Sequence, residues 1–147
     1  MKHLFSILII CLAALFANAQ TIEKAAIYKG AVGEFPVTLF MIPIENDCGI
    51  PHHYAAMYQY NDKSLWLQLS VSYNKHKDFL LVEQSGSGDF TGMLLLKKKD
   101  SSFSGSWISP DGKRKLNVQL KPVKASAQEL EKYRDKWERI NYENYDC

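Results

Sequence analysis

Apolar and polar residues alternate along most of the chain, and the pattern is clearest from Ser64 to Tyr73. There Leu65, Leu67, Leu69, Val71 and Tyr73 share one face, while Trp66, Gln68, Ser70 and Ser72 share the other. A period of two is that of a half-buried strand, and a helix would scatter those leucines. Leu116, Val118 and Leu120 alternate in the same way with Asn117 and Gln119, and Phe103, Gly105 and Trp107 alternate with Ser102, Ser104 and Ser106. Further strands are predicted over 22–29, 35–42, 53–60, 78–84 and 90–98. Between them lie turn signals at Gly30–Gly33, Asn61-Asp62-Lys63, Ser85–Asp89 and Ser109-Pro110-Asp111-Gly112. In the last of these, proline presets one φ angle and glycine accepts a positive one. The expectation is a mainly β fold, an antiparallel meander of about eight strands or a barrel-like sheet, whose interior would hold side chains or one small ligand.

The period changes near the C-terminus. Ser126-Ala127-Gln128-Glu129 is a capping box, in which serine and glutamate satisfy each other's exposed amides. Leu130, Tyr133, Trp137 and Ile140 then fall on one face of a helix, with Glu131, Lys132, Asp135 and Arg139 outside it. One amphipathic helix is predicted over 126–141, packed on the sheet, with Asp135 and Arg139 as an i, i+4 pair and Tyr142–Tyr145 as a short tail.

The first residues follow neither period. Met1-Lys2-His3 is a short positive region, Leu4 to Phe16 is apolar apart from Ser6, and Ala17-Asn18-Ala19 supplies a small-x-small site. This is the layout of a secretory signal peptide over 1–19. The run is too short for a membrane span, which needs about 20 apolar residues. Cys11 follows Ile10 in mid-run, which argues against a lipoprotein signal. The expected mature chain, 20–147, is one β-rich domain, exported to the periplasm or secreted.

Cleavage changes the charge and the cysteines. The chain carries a net charge of +2 with Lys2 and +1 without it, which argues against a nucleic-acid partner. Lys97-Lys98-Lys99 and Lys113-Arg114-Lys115 are local basic runs, read as solvated hairpin ends. With Cys11 removed, Cys48 and Cys147 remain as a candidate disulfide.

Candidate chemistry is sparse. Asp47-Cys48-Gly49-Ile50-Pro51-His52-His53 has metal-binding residue types, yet adjacent histidines on an extended strand point to opposite faces. A structural zinc site also wants four ligands. His52 and His53 are therefore weak candidates, and neither a metal nor a cofactor is expected. Glu34, Glu45, Asp47, Glu83 and Asp89 could converge as paired carboxylates for glycoside hydrolysis, although nothing in their spacing requires it. No G-x-S-x-G elbow is present, and Ser85-Gly86-Ser87-Gly88-Asp89 lacks the lysine and hydroxyl of a phosphate loop.

Tyr28-Lys29-Gly30, Phe35-Pro36-Val37-Thr38-Leu39, Thr91-Gly92, Phe103-Ser104-Gly105-Ser106-Trp107 and Ser109-Pro110-Asp111-Gly112 stand in an order that resembles small exported bacterial β-meander proteins, over about residues 27–121. Gly105-Ser106-Trp107 is also similar to the glycine-x-tryptophan of lipocalin and avidin-like barrels. In lipocalins that element lies on the first strand, whereas here it is late in the chain, so the resemblance implies barrel-like architecture alone.

Tyr54, Tyr58, Tyr60, Trp66, Trp107 and Trp137 are candidate binding aromatics, of the kind that anchor interfaces and equally of the kind that fill cores. The sequence points to an exported, non-enzymatic binding protein, such as an inhibitor or immunity-type protein acting on another protein. A carrier of a small apolar ligand in the barrel interior is the competing expectation, and a hydrolase a more distant one. Ser70, Ser72, Ser102, Ser104 and Ser106 suggest a solvated face in place of a wide lumen.

Overall fold

The structure, a computed structural model, describes residues 24–44, 53–85 and 87–145. Eight strands are present: β1 (Ala26–Val32), β2 (Phe35–Ile44), β3 (His53–Tyr60), β4 (Leu67–Tyr73), β5 (Asp78–Gln84), β6 (Phe90–Lys99), β7 (Ser102–Ile108) and β8 (Lys115–Val123). Each runs antiparallel to the next, and β8 returns to pair with β1 from Ile27 opposite Val123 to Val32 opposite Val118. The sheet is a closed barrel in sequence order.

Closure at this size depends on sharp strand curvature. A Cβ at Gly105 would run into the Leu95 carbonyl on β6, and one at Gly30 into the Gln119 carbonyl on β8. At both positions glycine lets one backbone bend against its neighbour.

The period of two then divides the side chains. Tyr28, Leu39, Tyr54, Leu69, Phe79, Leu81, Leu94, Phe103 and Leu120 point inward and form one buried core. Tyr28 lies 5.0 Å from Phe103, Phe103 5.1 Å from Phe79, and Phe79 5.9 Å from Tyr54 between ring centres. Ser70, Gln119 and Lys121 face outward.

Two stretches of the outer wall are apolar among the described residues: Leu80, Val82, Met93 and Leu95 on β5 and β6, where Leu95 is exposed, and one on β1–β3. Ile27, Phe40, Ile42, Ala55 and Met57 on β1–β3 are buried beneath the helix α1 (Ala127–Tyr145), which lays Leu130, Tyr133, Trp137 and Ile140 on them. Phe40 stacks on Tyr133 at 5.5 Å. The capping box forms: the Ser126 amide donates to Glu129 and the Glu129 amide donates to the Ser126 hydroxyl, at 2.9 and 3.2 Å.

Several boundaries differ from the sequence expectation. β1 runs over Ala26–Val32 instead of 22–29, so Gly30, expected in a turn, pairs within the sheet opposite Val37 and Leu120, and β2 and β8 each extend two residues further. The helix continues to Tyr145 because its last turns are tied to the barrel: Gln68 donates to Asn141 at 2.7 Å, and Asn144 donates back to Gln68 at 2.8 Å. Its ion pair joins Glu131 to Arg134, at 3.7 Å, instead of Asp135 to Arg139. In addition, β4 begins at Leu67 and not at Ser64. The Lys63 amide donates to the Tyr60 carbonyl and Gln59 reaches the Lys63 carbonyl, at 2.9 and 2.7 Å. This loop leaves Leu65 exposed and sends Trp66 to the helix.

Replacing Phe40 by alanine should lower the unfolding free energy by about 3–5 kcal/mol, and Ser126→Ala by about 1 kcal/mol. Urea denaturation of the two variants against the parent measures both.

Candidate functional site

Among the described residues, one charged side chain is fully buried inside the barrel. Glu83 is 4% exposed, and it continues the inward series Phe79, Leu81 on β5. A buried carboxylate requires donors, and three strands supply them. The Tyr58 hydroxyl on β3 and the Trp107 indole N–H on β7 both donate to Oε1, the latter at 2.5 Å. Thr91, ahead of Gly92 on β6, donates to Oε2 at 3.3 Å. The hydroxyls of Tyr58 and Tyr60 lie 3.3 Å apart, which extends the network toward the mouth of the barrel.

Local backbone features make this arrangement possible. Between β5 and β6 the register shifts, with Glu83 opposite Gly92 and Gln84 opposite Phe90, so Thr91 is the extra residue of a bulge. Bulges re-aim side chains in this way. Gly92 is required by space: a Cβ there would stand 2.7 Å from the Trp107 indole nitrogen and 2.8 Å from Glu83 Oε2. The tryptophan thus covers the glycine and reaches the carboxylate across it. Arg114 lies over the other part of the indole, 5.8 Å from the ring centre.

Burial first, and then the negative charge of Glu83, push the Tyr58 phenol far above its ordinary pKa. Burial likewise raises Tyr60. Both remain neutral donors through the physiological range. With Oε1 and Oε2 already engaged by neutral donors, Glu83 is held as a fixed acceptor. Of the other candidate carboxylates, Glu34 and Asp89 are exposed on hairpins away from it, and Asp89 accepts a hydrogen bond from Ser87 at 2.6 Å. Glu45 and Asp47 lie outside the described residues.

The six candidate aromatics fall into three places. Tyr58, Trp107 and half-buried Tyr60 surround Glu83. Tyr54 is buried in the interior toward the opposite end, against Phe79 and Tyr73. Trp66 and Trp137 flank the seam under α1. Trp66 meets Tyr133 edge-on at 5.5 Å, and Lys136 lies over its ring at 5.4 Å. Two grooves of about 320 Å³ each open on either side of this Trp66–Lys136 contact. The Trp137 indole nitrogen is buried without a hydrogen-bond partner.

His53 is exposed at the start of β3. His52, Cys48, Cys147 and the 1–19 segment lie outside the described residues. Among the described residues no group of three histidine, cysteine, aspartate or glutamate side chains could hold a metal ion. Thr91, Gly92 and the central place of Glu83 were missed in the sequence. The available signal was a carboxylate in the inward phase of an otherwise apolar strand, with glycine facing it.

Comparisons with protein families, with curated proteins and with solved structures find no match to this chain. The fold is that of an eight-stranded antiparallel closed barrel with one C-terminal helix.

Two outcomes follow. Trp107→Phe removes one donor to a buried carboxylate and should cost about 1.5–3 kcal/mol of stability by urea denaturation. Glu83→Ala orphans the two buried donors, Tyr58 and Trp107, as well as releasing Thr91, and should cost more. The second outcome concerns pH. Burial, and next the charge of Tyr54, raise Tyr28 from 10.0 to about 12. Its folded pKa thus lies above its unfolded value, so the unfolded chain loses the proton first. The stabilising difference is intact below pH 10 and is lost as pH rises toward 12, by about 2–3 kcal/mol from this residue. Tyr58 adds to the fall in the same direction. Denaturation midpoints taken across that range, with phenolate absorbance read in parallel, provide the check.

Proposed function

We propose that the protein is an exported binding module that acts by occupying a surface of another protein, in the manner of an inhibitor or immunity protein, and has no chemistry of its own. The observation that carries this reading is the filled interior. Tyr28, Phe79, Phe103 and Tyr54 close on one another in the middle and at one end, and the Tyr58–Glu83–Trp107 network occupies the other. A carrier needs a lumen of a few hundred Å³, whereas these positions are taken by the protein's own rings. Recognition is therefore assigned to the outside.

The end carrying the β1–β2, β3–β4, β5–β6 and β7–β8 hairpins favours a protein partner. Phe35 and Phe90 are each 41% exposed there, and Phe35 packs edge-on to Tyr60 at 6.2 Å. Arg114 stands on the same end above Trp107. Aromatic residues with arginine are what protein interfaces enrich. Glu83 beneath them fixes Tyr58 and Trp107, so the surface is presented on a rigid floor. Kinship to exported bacterial β-meander proteins, cleavage of residues 1–19 and a Cys48–Cys147 bridge belong to the same proposal.

A photoreactive residue placed at Phe35 or Phe90 should capture one defined protein from the compartment to which the chain is exported. Phe35→Ala together with Phe90→Ala should weaken that complex at least ten-fold, an interface loss of about 1.4 kcal/mol or more. Native mass spectrometry that finds a stoichiometric small molecule retained in the barrel would overturn the reading in favour of a carrier.

A further inference from the structure

At the end of the barrel away from Glu83, four segments distant in sequence bring lysines together. The β4–β5 turn carries Lys75 and Lys77, and the β6–β7 hairpin carries Lys97, Lys98 and Lys99. Lys24 precedes β1, and Lys124 follows β8. Against these seven stand, among the described residues, Asp78 and Asp100 in the same turns and Glu129 in the first turn of α1, five residues after Lys124. The lysines are in excess by four. The connection from β2 to β3, outside the described residues, adds two carboxylates by its sequence, Glu45 and Asp47, and the lysines remain in excess.

The β4–β5 turn is held in place. Asn74 accepts from the His76 and Asp78 amides at 2.8 and 3.2 Å and donates to the Asp78 carboxylate at 3.0 Å. Lys77 takes a left-handed φ of 63°, which completes the turn, and its carbonyl accepts from the Lys98 amide at 2.9 Å. Asp78 is further engaged by Lys97 at 3.6 Å. The carboxylate nearest the patch is thus already occupied, while Lys75 and Lys77 project into water. Lys98 follows Leu94 and Leu96 in the inward phase and is half-buried. Burial, and next the charge of Lys77, hold its amine below the usual lysine value.

A second, independent observation concerns the apolar side chains at this end. Ile44, Tyr73 and Val123, at the ends of β2, β4 and β8, are 37%, 39% and 37% exposed. The composition of the patch distinguishes between anionic partners. Protein interfaces and nucleic-acid sites favour arginine, whose planar fork pairs bidentately with carboxylate and phosphate. This end has seven lysines, and the three arginines of the chain, Arg114, Arg134 and Arg139, all lie elsewhere. Diffuse point charges around exposed aliphatic and tyrosine side chains suit the interface of a bilayer.

We propose that this end of the barrel docks on an anionic lipid surface, with the lysines against the headgroups and Ile44 and Val123 entering the headgroup layer. No helix among the described residues is long and apolar enough to cross a membrane. The contact is peripheral. It uses the end opposite Phe35 and Phe90, so a protein and a bilayer can be held at once.

Co-sedimentation of the protein with phosphatidylcholine vesicles, with and without phosphatidylglycerol, tests the proposal. Binding should require phosphatidylglycerol and weaken as salt is raised. Lys75→Gln, Lys77→Gln and Lys99→Gln should each lower the partition coefficient about five-fold, the equivalent of about 1 kcal/mol per lysine. Val123→Ser should lower it further, and Lys113→Gln with Lys115→Gln, on the hairpin end, should leave it unchanged. All of these side chains are exposed, and circular dichroism confirms folding of each variant. Equal binding to both vesicle types, or equal loss from the Lys113 and Lys115 changes, would overturn the proposal. So would polyglutamate binding in the absence of vesicles with the same sensitivity to Lys75 and Lys77, which would indicate an acidic protein. None of these results bears on capture at Phe35 and Phe90.

Discussion

Closing eight short strands into a ring leaves an interior that only side chains can occupy, and the rest of the structure answers to that constraint. The pairing of β8 with β1 removes both sheet edges. It also forces every inward position to be filled or deliberately emptied. Leucine and aromatic residues fill most of them, and glycine empties three. At Gly30 and Gly105 the space goes to neighbouring backbone, and at Gly92 to an indole. The one inward carboxylate is tolerated because the same closure brings Tyr58, Thr91 and Trp107 around it from three other places in the ring.

The two ends of the barrel solve different problems. At the hairpin end a buried carboxylate is satisfied by hydrogen bonds from neutral donors, and the outcome is a fixed aromatic floor beneath exposed phenylalanines. At the other end the interior is sealed by ring contacts, Tyr73 on Phe79 and Tyr54 against both. Unpaired positive charge collects in the surrounding turns. The helix touches neither mouth's chemistry directly. It covers the apolar stretch of outer wall on β1–β3, while a second one, Leu80 and Val82 on β5 beside Met93 and Leu95 on β6, faces outward away from it.

Strands were legible because alternation is a local property: Leu116, Val118 and Leu120 declare their face without reference to anything else. The capping box at Ser126 was legible for the same reason. The start of β4 was not, since Leu65 keeps the alternation while the hydrogen bonds of Gln59 and Lys63 hold it in a loop. The helix end was hidden likewise, because Asn141 and Asn144 gain their meaning from Gln68, more than seventy residues earlier. Glu83 could be named among the acids but not placed, as its partners come from β3, β6 and β7 and one of them depends on a bulge. The lysine patch is a product of topology: Lys97-Lys98-Lys99 reads as an ordinary hairpin end until β4–β5 and the termini of β1 and β8 are set beside it.

Strand order carries a consequence for how the molecule forms. Seven of the eight pairings join strands adjacent in sequence, and only β1 with β8 spans the whole domain. The hairpins can zip one after another at modest entropic expense, whereas the last pairing must gather a loop of nearly ninety residues. The helix follows β8 directly and rests on β1, β2 and β3. It therefore bridges the first and last parts of the chain to be made. Until that latch is set, β1 and β8 are open edges, and the nascent protein is most exposed to wrong pairing in the interval just before closure.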